Sequence, residues 1–359
     1  MAARITWRSV LTHALTITAA VAALGGTSTP VKATTALYTL TDLGSLGCCN
    51  WWIWESSALA VNNSGVVVGT TTSPTDPSVT VPFIYRDGTM TAITDWSGEA
   101  RGINDAGQAI GGATPPGEMM PHLFVYQNGA FDDLGALPGY SNQPYAVGYA
   151  INSAGTIVGD SKTGAFIYEA GVMRLLKRLS ARLAYSVNDS GDVVGLIETV
   201  RGGGPYSDTG FLFTNNTMIN LGAMDGDPGS VVQPLGINNA RQIAGSAFNA
   251  ATSQVRAFLW ENGAYRDLGT LRGGYAYAMG LNNHGDVVGF SDSSVFVYRD
   301  GAMIDLNQAV ERNGSIWPFI QDVRAINDRG QIVGNAYVED RNGVVHLRAC
   351  LLTPIAPLP

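Results

Sequence analysis

The sequence predicts an all-β fold, a seven-bladed β-propeller of four-stranded blades that is closed by the N-terminal strand pairing with the last blade. Three observations predict it. A turn motif occurs seven times, each repeat contains two hairpin signals, and the two chain ends carry complementary parts of one repeat. A repeat period in the forties, with strand-like composition, indicates propeller blades and not a helical array.

The turn motif first occurs as VNNSGVVVGT, from Val61 to Thr70, and its shared asparagine recurs at spacings of 42, 48, 36, 50, 44 and 45 residues. The seven copies carry this residue as Asn62, Asn104, Asn152, Asn188, Asn238, Asn282 and Asn327. The chain has 44 glycines and only 14% charged residues, and its short Val, Ile, Phe and Tyr runs are interrupted by Asn-Gly signals. This pattern is typical of short strands joined by tight turns.

Each repeat is predicted to contain four strands, named a to d in chain order. Strand a ends at the shared asparagine, strand b is the VVVG-like run, strand c begins with a run such as FIY, and strand d follows an Asp-Gly, Asn-Gly or Asn-Asn turn. The asparagine side chain and a positive-φ glycine account for the a–b turn, and positive-φ residues account for the c–d turn. The aspartates that recur in the d strands are expected to accept backbone hydrogen bonds at the same turn in each unit: Asp42, Asp133, Asp267 and Asp305.

The two chain ends predict closure of the ring. Residues Leu37 to Gly44 match a strand d with no other strand before it, whereas the last repeat has strands a (Val323–Asn327), b (Gln331–Gly334) and c (Leu347–Leu352) but no d. A ring removes exposed sheet edges by joining these parts, so the first strand is expected to complete the last blade.

The domain organisation follows from the first 33 residues. Arg4 and Arg8 precede an apolar stretch, and Val31-Lys32-Ala33 is an acceptable cleavage site, so residues 1–33 are predicted to be a secretory signal peptide. Residues 34–353 are then the seven-repeat propeller, and residues 354–359 are a short proline-rich tail.

Export predicts a secreted or periplasmic bacterial protein with no membrane span after cleavage. The mature chain carries 18 basic and 29 acidic residues, a formal charge of −11. Nucleic acid and anionic lipid are therefore poor partners. The three cysteines, Cys48, Cys49 and Cys350, are too few for a disulfide framework.

These repeats resemble a known family. The residues that carry the resemblance are the Asp-Leu-Gly strands at Asp42, Asp133 and Asp267 and the Ala-Phe-Leu-Trp run at Ala257. Over residues 37–353 the chain resembles the bacterial HAF-type extracellular repeat family. The resemblance implies export and a propeller-like repeat, and it brings no catalytic residues. Two departures are His122-Leu123-Phe124 in place of His-Ala-Phe, and Arg241 in place of a turn glycine.

Residues for ordinary catalysis are scarce in the mature chain. Its only histidines are His122, His284 and His346, and each is expected to be a solvated loop residue. The Asn-Asp turns lack the full ligand set of a calcium loop, and no glycine-rich phosphate cradle is present. No cofactor and no metal site are expected.

The most promising binding residues are aromatic. The b–c and d–a connections, on one face of the ring, are long and variable, and variable loops on a rigid scaffold commonly carry binding. Tryptophan offers flat apolar area to a sugar ring or a protein. The ligand-binding candidates are Trp51, Trp52, Trp54, Trp96, Trp317 and Phe319.

The sequence favours a non-enzymatic protein that binds a glycan or an extracellular protein through this variable face. One alternative is a carbohydrate-active enzyme, a lyase or glycosidase, with carboxylates at the channel mouth drawn from Glu55, Asp95, Glu99 and Asp322. Another is a structural module of the envelope or matrix. The fold alone does not determine which of these three functions the protein has.

Overall fold

A computed structural model describes residues 36–47, 55–137, 144–176, 181–199, 207–226, 230–311, 319–340 and 342–356. Seven four-stranded antiparallel sheets form the blades, which confirms the predicted seven-bladed propeller. In each sheet the a strand is at one edge and contacts the a strands of both neighbouring blades. The a strands therefore form the innermost layer around a central channel.

The first four blades follow one another along the chain. Blade 1 contains β2 (Ser56–Val61), β3 (Val67–Thr72), β4 (Thr80–Arg86) and β5 (Thr89–Ala92). Blade 2 contains β6 (Ser97–Ile103), β7 (Ala109–Thr114), β8 (His122–Gln127) and β9 (Ala130–Gly135). Blade 3 contains β10 (Ala146–Ile151), β11 (Ile157–Ser161), β12 (Gly164–Glu169) and β13 (Val172–Leu175). Blade 4 contains β14 (Ala181–Val187), β15 (Val193–Thr199), β16 (Ser207–Thr214) and β17 (Thr217–Asn220).

The last three blades complete the ring. Blade 5 contains β18 (Val231–Ile237), β19 (Ile243–Asn249), β20 (Gln254–Glu261) and β21 (Ala264–Asp267). Blade 6 contains β22 (Ala276–Leu281), β23 (Val287–Ser291), β24 (Ser294–Arg299) and β25 (Ala302–Asp305). A short helix, α1 (Leu306–Ala309), leads to blade 7, which contains β26 (Phe319–Ile326), β27 (Ile332–Glu339), β28 (Val345–Pro354) and β1 (Tyr38–Asp42).

The N-terminal strand closes the ring as predicted. Strand β1 pairs antiparallel with β28, in a register that runs from Tyr38 opposite Pro354 to Asp42 opposite Cys350. Beyond the strand, the Ile355 N–H donates to the Leu37 carbonyl oxygen at 2.9 Å. Pro354, assigned from the sequence to the tail, is thus the last residue of a paired strand.

The turn residues of the hairpins adopt the conformations and make the hydrogen bonds that the sequence predicts. In the c–d turns of blades 1 to 6, both central residues have positive φ, for example Asp87 at 52° and Gly88 at 79°. The recurrent aspartates of the d strands accept a backbone N–H two residues on, as Asp42 does from Gly44 at 2.8 Å. The same contact is made by Asp133, Asp267 and Asp305.

The shared asparagines do more than shape their own turns. Each Oδ1 accepts the backbone N–H four residues on, across the a–b turn. In Asn62, Asn152, Asn282 and Asn327 it also accepts the N–H two residues on, the contact of an Asx turn. Each Nδ2 also donates to the carbonyl oxygen of the corresponding asparagine in the next blade, at 2.8–3.1 Å. These seven bonds form a closed ring that ties the blades together at the a–b turn face.

The hydrophobic core lies between the blades. Strand c of blades 1 to 6 contributes one fully buried phenylalanine each: Phe83, Phe124, Phe166, Phe211, Phe258 and Phe296. In blade 7 the corresponding position, opposite the strand b glycine Gly334, is Cys350. This thiol is free and 1% exposed, and its pKa is raised by burial and by nearby carboxylates. Cys350 is therefore a small core residue.

Candidate functional site

The two faces of the ring differ in how tightly they are bonded. At the a–b turn face, six of the residues that follow the shared asparagines donate their backbone N–H to a side-chain oxygen on the next blade. Together with the asparagine ring, these bonds make that face a repetitive network. The b–c and d–a connections emerge at the opposite face, where the sequence predicted binding.

Most of the predicted aromatic candidates lie outside the described residues: Trp51, Trp52, Trp54 and Trp317. Of the other two, Trp96 is half-buried and packs edge-to-face on Phe131, with ring centroids 5.1 Å apart. It joins the hydrophobic cluster between blades 1 and 2. Phe319 is 43% exposed at the start of β26, and its ring centroid lies 6.4 Å from that of Tyr337. Phe319 is thus a surface aromatic, whereas packing accounts for Trp96.

The inner wall of the ring brings together residues of which the sequence analysis named only Glu99 and Asp322, as carboxylates of the alternative enzyme. On every a strand, the residue four positions before the shared asparagine is buried, and the residues three and five positions before it are half-buried. The positions three before are Leu59, Arg101, Tyr149, Tyr185, Leu235, Met279 and Arg324. The positions five before are Ser57, Glu99, Val147, Leu183, Gln233, Tyr277 and Asp322. We call these fourteen residues the channel lining.

One part of the channel lining is charged. On blade 2 an ion pair joins Arg101 to Glu99, two residues earlier, and on blade 7 the same spacing joins Arg324 to Asp322 at 3.2 Å. These side chains are 17–35% exposed. Asn335, on β27, donates through Nδ2 to Asp322 Oδ2 at 3.1 Å. Blades 7 and 2 are the two neighbours of blade 1, so the two ion pairs lie on either side of blade 1. We call these four residues the charged sector.

The rest of the channel lining is largely aromatic and apolar. The Arg101 guanidinium carbon lies 5.0 Å from the ring centroid of Tyr149, and the Tyr149 ring lies 6.0 Å from that of Tyr185. Tyr277 stacks on Phe290, with centroids 4.7 Å apart. The Arg101–Tyr149 and Tyr149–Tyr185 contacts cross blade boundaries and place a cation beside tyrosine faces at the channel, whereas the Tyr277–Phe290 stack lies within blade 6.

The phenol of Tyr149 is held in its protonated form. Burial is the main cause of its raised pKa, the neighbouring Asp160 carboxylate raises the pKa further, and Arg101 opposes both. A protonated phenol donates a hydrogen bond and does not act as a general base near neutral pH.

A shallow cleft adjoins the charged sector. It has a volume of about 270 Å³ and lies at the junction of blades 1, 2 and 3. Its wall carries the hydroxyls of Thr70, Thr80, Ser97 and Thr114 and the Glu99 side chain. Glu99 therefore belongs both to the cleft and to the ion pair of the channel.

The carboxylates proposed for catalysis are mostly engaged by cations. Glu55 accepts from His346 Nδ1 at 2.6 Å and from Arg348 Nε at 2.7 Å. Glu99 and Asp322 have their arginine partners, and Asp95 is exposed. Glu55, Glu99 and Asp322 are thus each held in an ion pair with the protein's own side chains.

Two histidines differ from the expectation of solvated loop residues. The His346 side chain is 12% exposed. It packs with Glu55 and Arg348 in a half-buried cluster at the ring closure. His122 is 15% exposed and lies 3.0 Å from Asp133 Oδ2 and 3.1 Å from Glu118 Oε2. Only His284 is exposed as expected. The sequence could not predict the carboxylate partners because they lie on other strands or loops.

Within the described segments, no cluster of three or more His, Cys, Asp or Glu residues is arranged to hold a metal ion. The helices of the same segments include none that is long and apolar enough to cross a membrane.

Comparison with solved structures identifies the class of fold. No family model and no curated protein sequence matches the chain. A puromycin-hydrolyzing peptidase of Mycobacterium tuberculosis is similar at 10% identity and a TM-score of 0.52, over 84% of this chain and 52% of that one. The β-propeller domain of the trilobed protease from Pyrococcus furiosus is similar at 8% identity and a TM-score of 0.52, over 83% of this chain and 94% of that one.

An extracellular domain of a hybrid two-component system from B. thetaiotaomicron is similar at 10% identity and a TM-score of 0.54, over 90% of this chain and 40% of that one. The chain therefore spans about half the length of the peptidase and 40% of this extracellular domain. At these identities the similarity establishes the propeller fold and nothing about activity.

Proposed function

We propose that the mature chain is a secreted or periplasmic HAF-type repeat protein without catalytic activity, which binds a glycan or an extracellular protein at its variable loop face. One observation carries the proposal: the blades are uniform at the bonded a–b face, whereas the connections at the opposite face differ in length and sequence from blade to blade. A position that varies among otherwise similar repeats is free of the common structural role and available for recognition.

The loop face supplies suitable chemistry. Phe319 is an exposed aromatic at the inner-strand edge of that face, and the channel lining adds tyrosine rings and charged groups. Aromatic anchors with neighbouring polar groups are common at binding sites. Structural neighbours include an extracellular domain as well as proteases, so the fold is compatible with a binding role.

The geometry favours binding over hydrolysis. Hydrolysis of a glycoside needs one protonated and one ionised carboxyl group on either side of the scissile bond. Glu55, Glu99 and Asp322 are each held in an ion pair with an arginine of the protein, so no two of them stand as an unpaired acid and base.

A glycan array probed with residues 34–359 tests the proposal. Saturable binding should be weakened by Phe319→Ala on the loop face and by Trp52→Ala, at a tryptophan that the sequence predicts for binding. The matched control is Ile219→Ala, because Ile219 is 42% exposed but lies on the outer strand β17. Equal loss in the control would contradict the assignment to the loop face.

A protein partner is tested in a second arm. A photo-crosslinking amino acid at position 319 should capture one saturable partner, which the same amino acid at position 219 does not capture. If the array is negative and neither position gives a specific product, the proposed binding function is wrong.

A further inference from the structure

The charged sector of the channel has hydrogen-bonding capacity that the protein leaves unused. Of the seven buried side-chain polar atoms without a partner in the described segments, three belong to the two ion pairs: Arg101 Nε, Arg324 Nε and Asp322 Oδ1. A guanidinium has five N–H donors and a carboxylate has about four acceptor positions. Buried polar groups normally have partners, so this concentration of unpaired atoms needs an explanation.

The two ion pairs have the same construction. In each, a carboxylate five residues before the shared asparagine accepts from an arginine three residues before it. A donor and an acceptor are thus presented together, on blade 2 and again on blade 7. A hydroxyl group both accepts and donates, so two neighbouring hydroxyls of one ligand complement an arginine and its carboxylate at once.

The balance of charge decides between neutral and anionic ligands. Each pair is neutral as a unit, Asp160 adds a negative charge beside Tyr149, and the mature chain is acidic overall. An anion would gain little from arginines that are already neutralised and would be repelled by the remaining field. Hydroxyl groups meet no such penalty.

Tyrosines supply apolar surface on both sides of the two ion pairs, with Tyr149 on blade 3 beside blade 2 and Tyr277 on blade 6 beside blade 7. Tyr277 is held by its stack on Phe290, and Tyr149 is held between Arg101 and Tyr185. Rings that are fixed before binding lose little conformational entropy when a ligand packs on them. The C–H face of a pyranose is such a ligand.

Building on the proposed function, we infer that the channel mouth binds a neutral saccharide, whose hydroxyls bond to Glu99–Arg101 and Asp322–Arg324 and whose ring packs on the channel tyrosines. The cleft of about 270 Å³ beside Glu99 continues this site with threonine and serine hydroxyls, and it is the size of a small ligand unit.

Matched pairs of oligosaccharides test the charge argument. Neutral hexamers of glucose, mannose, galactose and xylose are titrated by calorimetry, and the first three are compared with the corresponding hexuronates. At least one neutral hexamer should bind, and its hexuronate should bind roughly tenfold more weakly. Tighter binding of the hexuronate, or no binding by any neutral hexamer, overturns the inference.

Two variants test the residues. Glu99→Gln and Asp322→Asn each leave an arginine without its counter-charge, so the neutral hexamer should bind roughly tenfold more weakly and the preference over the hexuronate should shrink. The control is Glu169→Gln, which breaks the exposed Glu169–Arg174 ion pair on the outer strands of blade 3. Its affinities should stay unchanged, and melting curves establish that all three variants are folded.

The outcomes separate the inference from the proposed function. If a glycan binds and is lost in Phe319→Ala but not in Glu99→Gln or Asp322→Asn, the channel site is wrong and the loop-face function stands. If neither glycans nor a crosslinked partner bind, both are wrong.

Discussion

A single asparagine per blade links local and global structure. Its Oδ1 shapes the a–b turn and its Nδ2 reaches the next blade, so the same side chain fixes a hairpin and joins neighbouring repeats. In Asn282, Oδ1 accepts from the His284 and Asp286 N–H groups, while Nδ2 donates to the Asn327 carbonyl at 3.1 Å. A backbone donor left unpaired in this buried position would cost the full desolvation energy.

Asn282→Ala is therefore expected to lower the free energy of unfolding by about 2–4 kcal/mol, since several buried hydrogen bonds of about 1 kcal/mol each are lost and donors remain unpaired. Urea denaturation measures the change. The control is Asn283→Ala on the same turn, because its two side-chain hydrogen bonds between blades are exposed to solvent and their loss should cost less. Equal costs would contradict the special role of the shared asparagine.

At the scale of the element, strand β1 is the strand that completes blade 7. Tyr38 is 1% exposed and packs in the cluster between blades 6 and 7, and the Glu311 N–H donates to its carbonyl oxygen at 2.7 Å. The strand therefore contributes both core area and backbone pairing. Without it, β28 would become an exposed edge.

A chain that begins at residue 45 tests this closure. We expect a lower melting temperature and self-association, because the unpaired edge of β28 offers backbone groups to another chain. Light scattering and thermal melting measure both effects. A synthetic peptide of residues 35–46 added in trans should restore the monomer and part of the stability. A truncated chain that stays monomeric with an unchanged melting temperature would show that β1 is dispensable.

At the scale of the whole molecule, carboxylates of the a–b face connect the blades. Burial alone would raise the pKa of Asp189, Asp192 and Asp328, but the hydrogen bonds they accept outweigh it, and the pKa of each is lowered from 3.8. Asp189 accepts from Ser153, Asp192 from Arg241 and Asp328 from Asn283, all across blade boundaries.

The sign of the resulting pH dependence follows from these lowered pKa values. A carboxyl group that is more acidic in the folded state stabilises the fold above its unfolded pKa, and this stability is lost as the pH falls through the folded pKa. Calorimetry should give a nearly constant melting temperature from pH 7 down to about pH 5 and a steep fall below about pH 4.

Asp192→Asn identifies the contribution of one such group. Its melting temperature should be lower than that of the parent at neutral pH and should fall less steeply in acid, because one titrating contact is absent. Asp95→Asn, at an exposed position, is the matched control and should follow the parent curve. If Asp192→Asn keeps the parent slope, Asp192 does not take part in the acid unfolding.

The fold could be predicted because its signals are local and repeated. An asparagine with a glycine three residues on, and an Asp-Gly or Asn-Gly between alternating apolar residues, report hairpins within a few residues of chain. Arg241 was recognised as a departure from this pattern. The structure shows it in the same left-handed conformation, with φ of 61°, and paired to Asp192 of the previous blade at 2.8 Å.

The binding residues that the sequence predicts stay predictions. Phe319 is exposed, Trp96 packs against Phe131, and Trp51, Trp52, Trp54 and Trp317 lie outside the described residues. Of the channel lining, the sequence predicted only Glu99 and Asp322, as carboxylates of the alternative enzyme. A signal for the rest was present, because the residues three and five positions before the shared asparagine change character from repeat to repeat.

The sequence by itself determined the blade count, the four-strand repeat and the closure by the N-terminal strand. The repeat period, the turn residues and the complementary strands at the two chain ends can all be recognised in the order of residues along the chain. Only the tertiary structure decided which polar groups meet. Arg101 and Tyr149 belong to different repeats, as do Glu55 and His346, and they come together because the ring brings equivalent positions of all blades around one axis. Contacts made by closure depend on the whole ring, and no local pattern of residues encodes them.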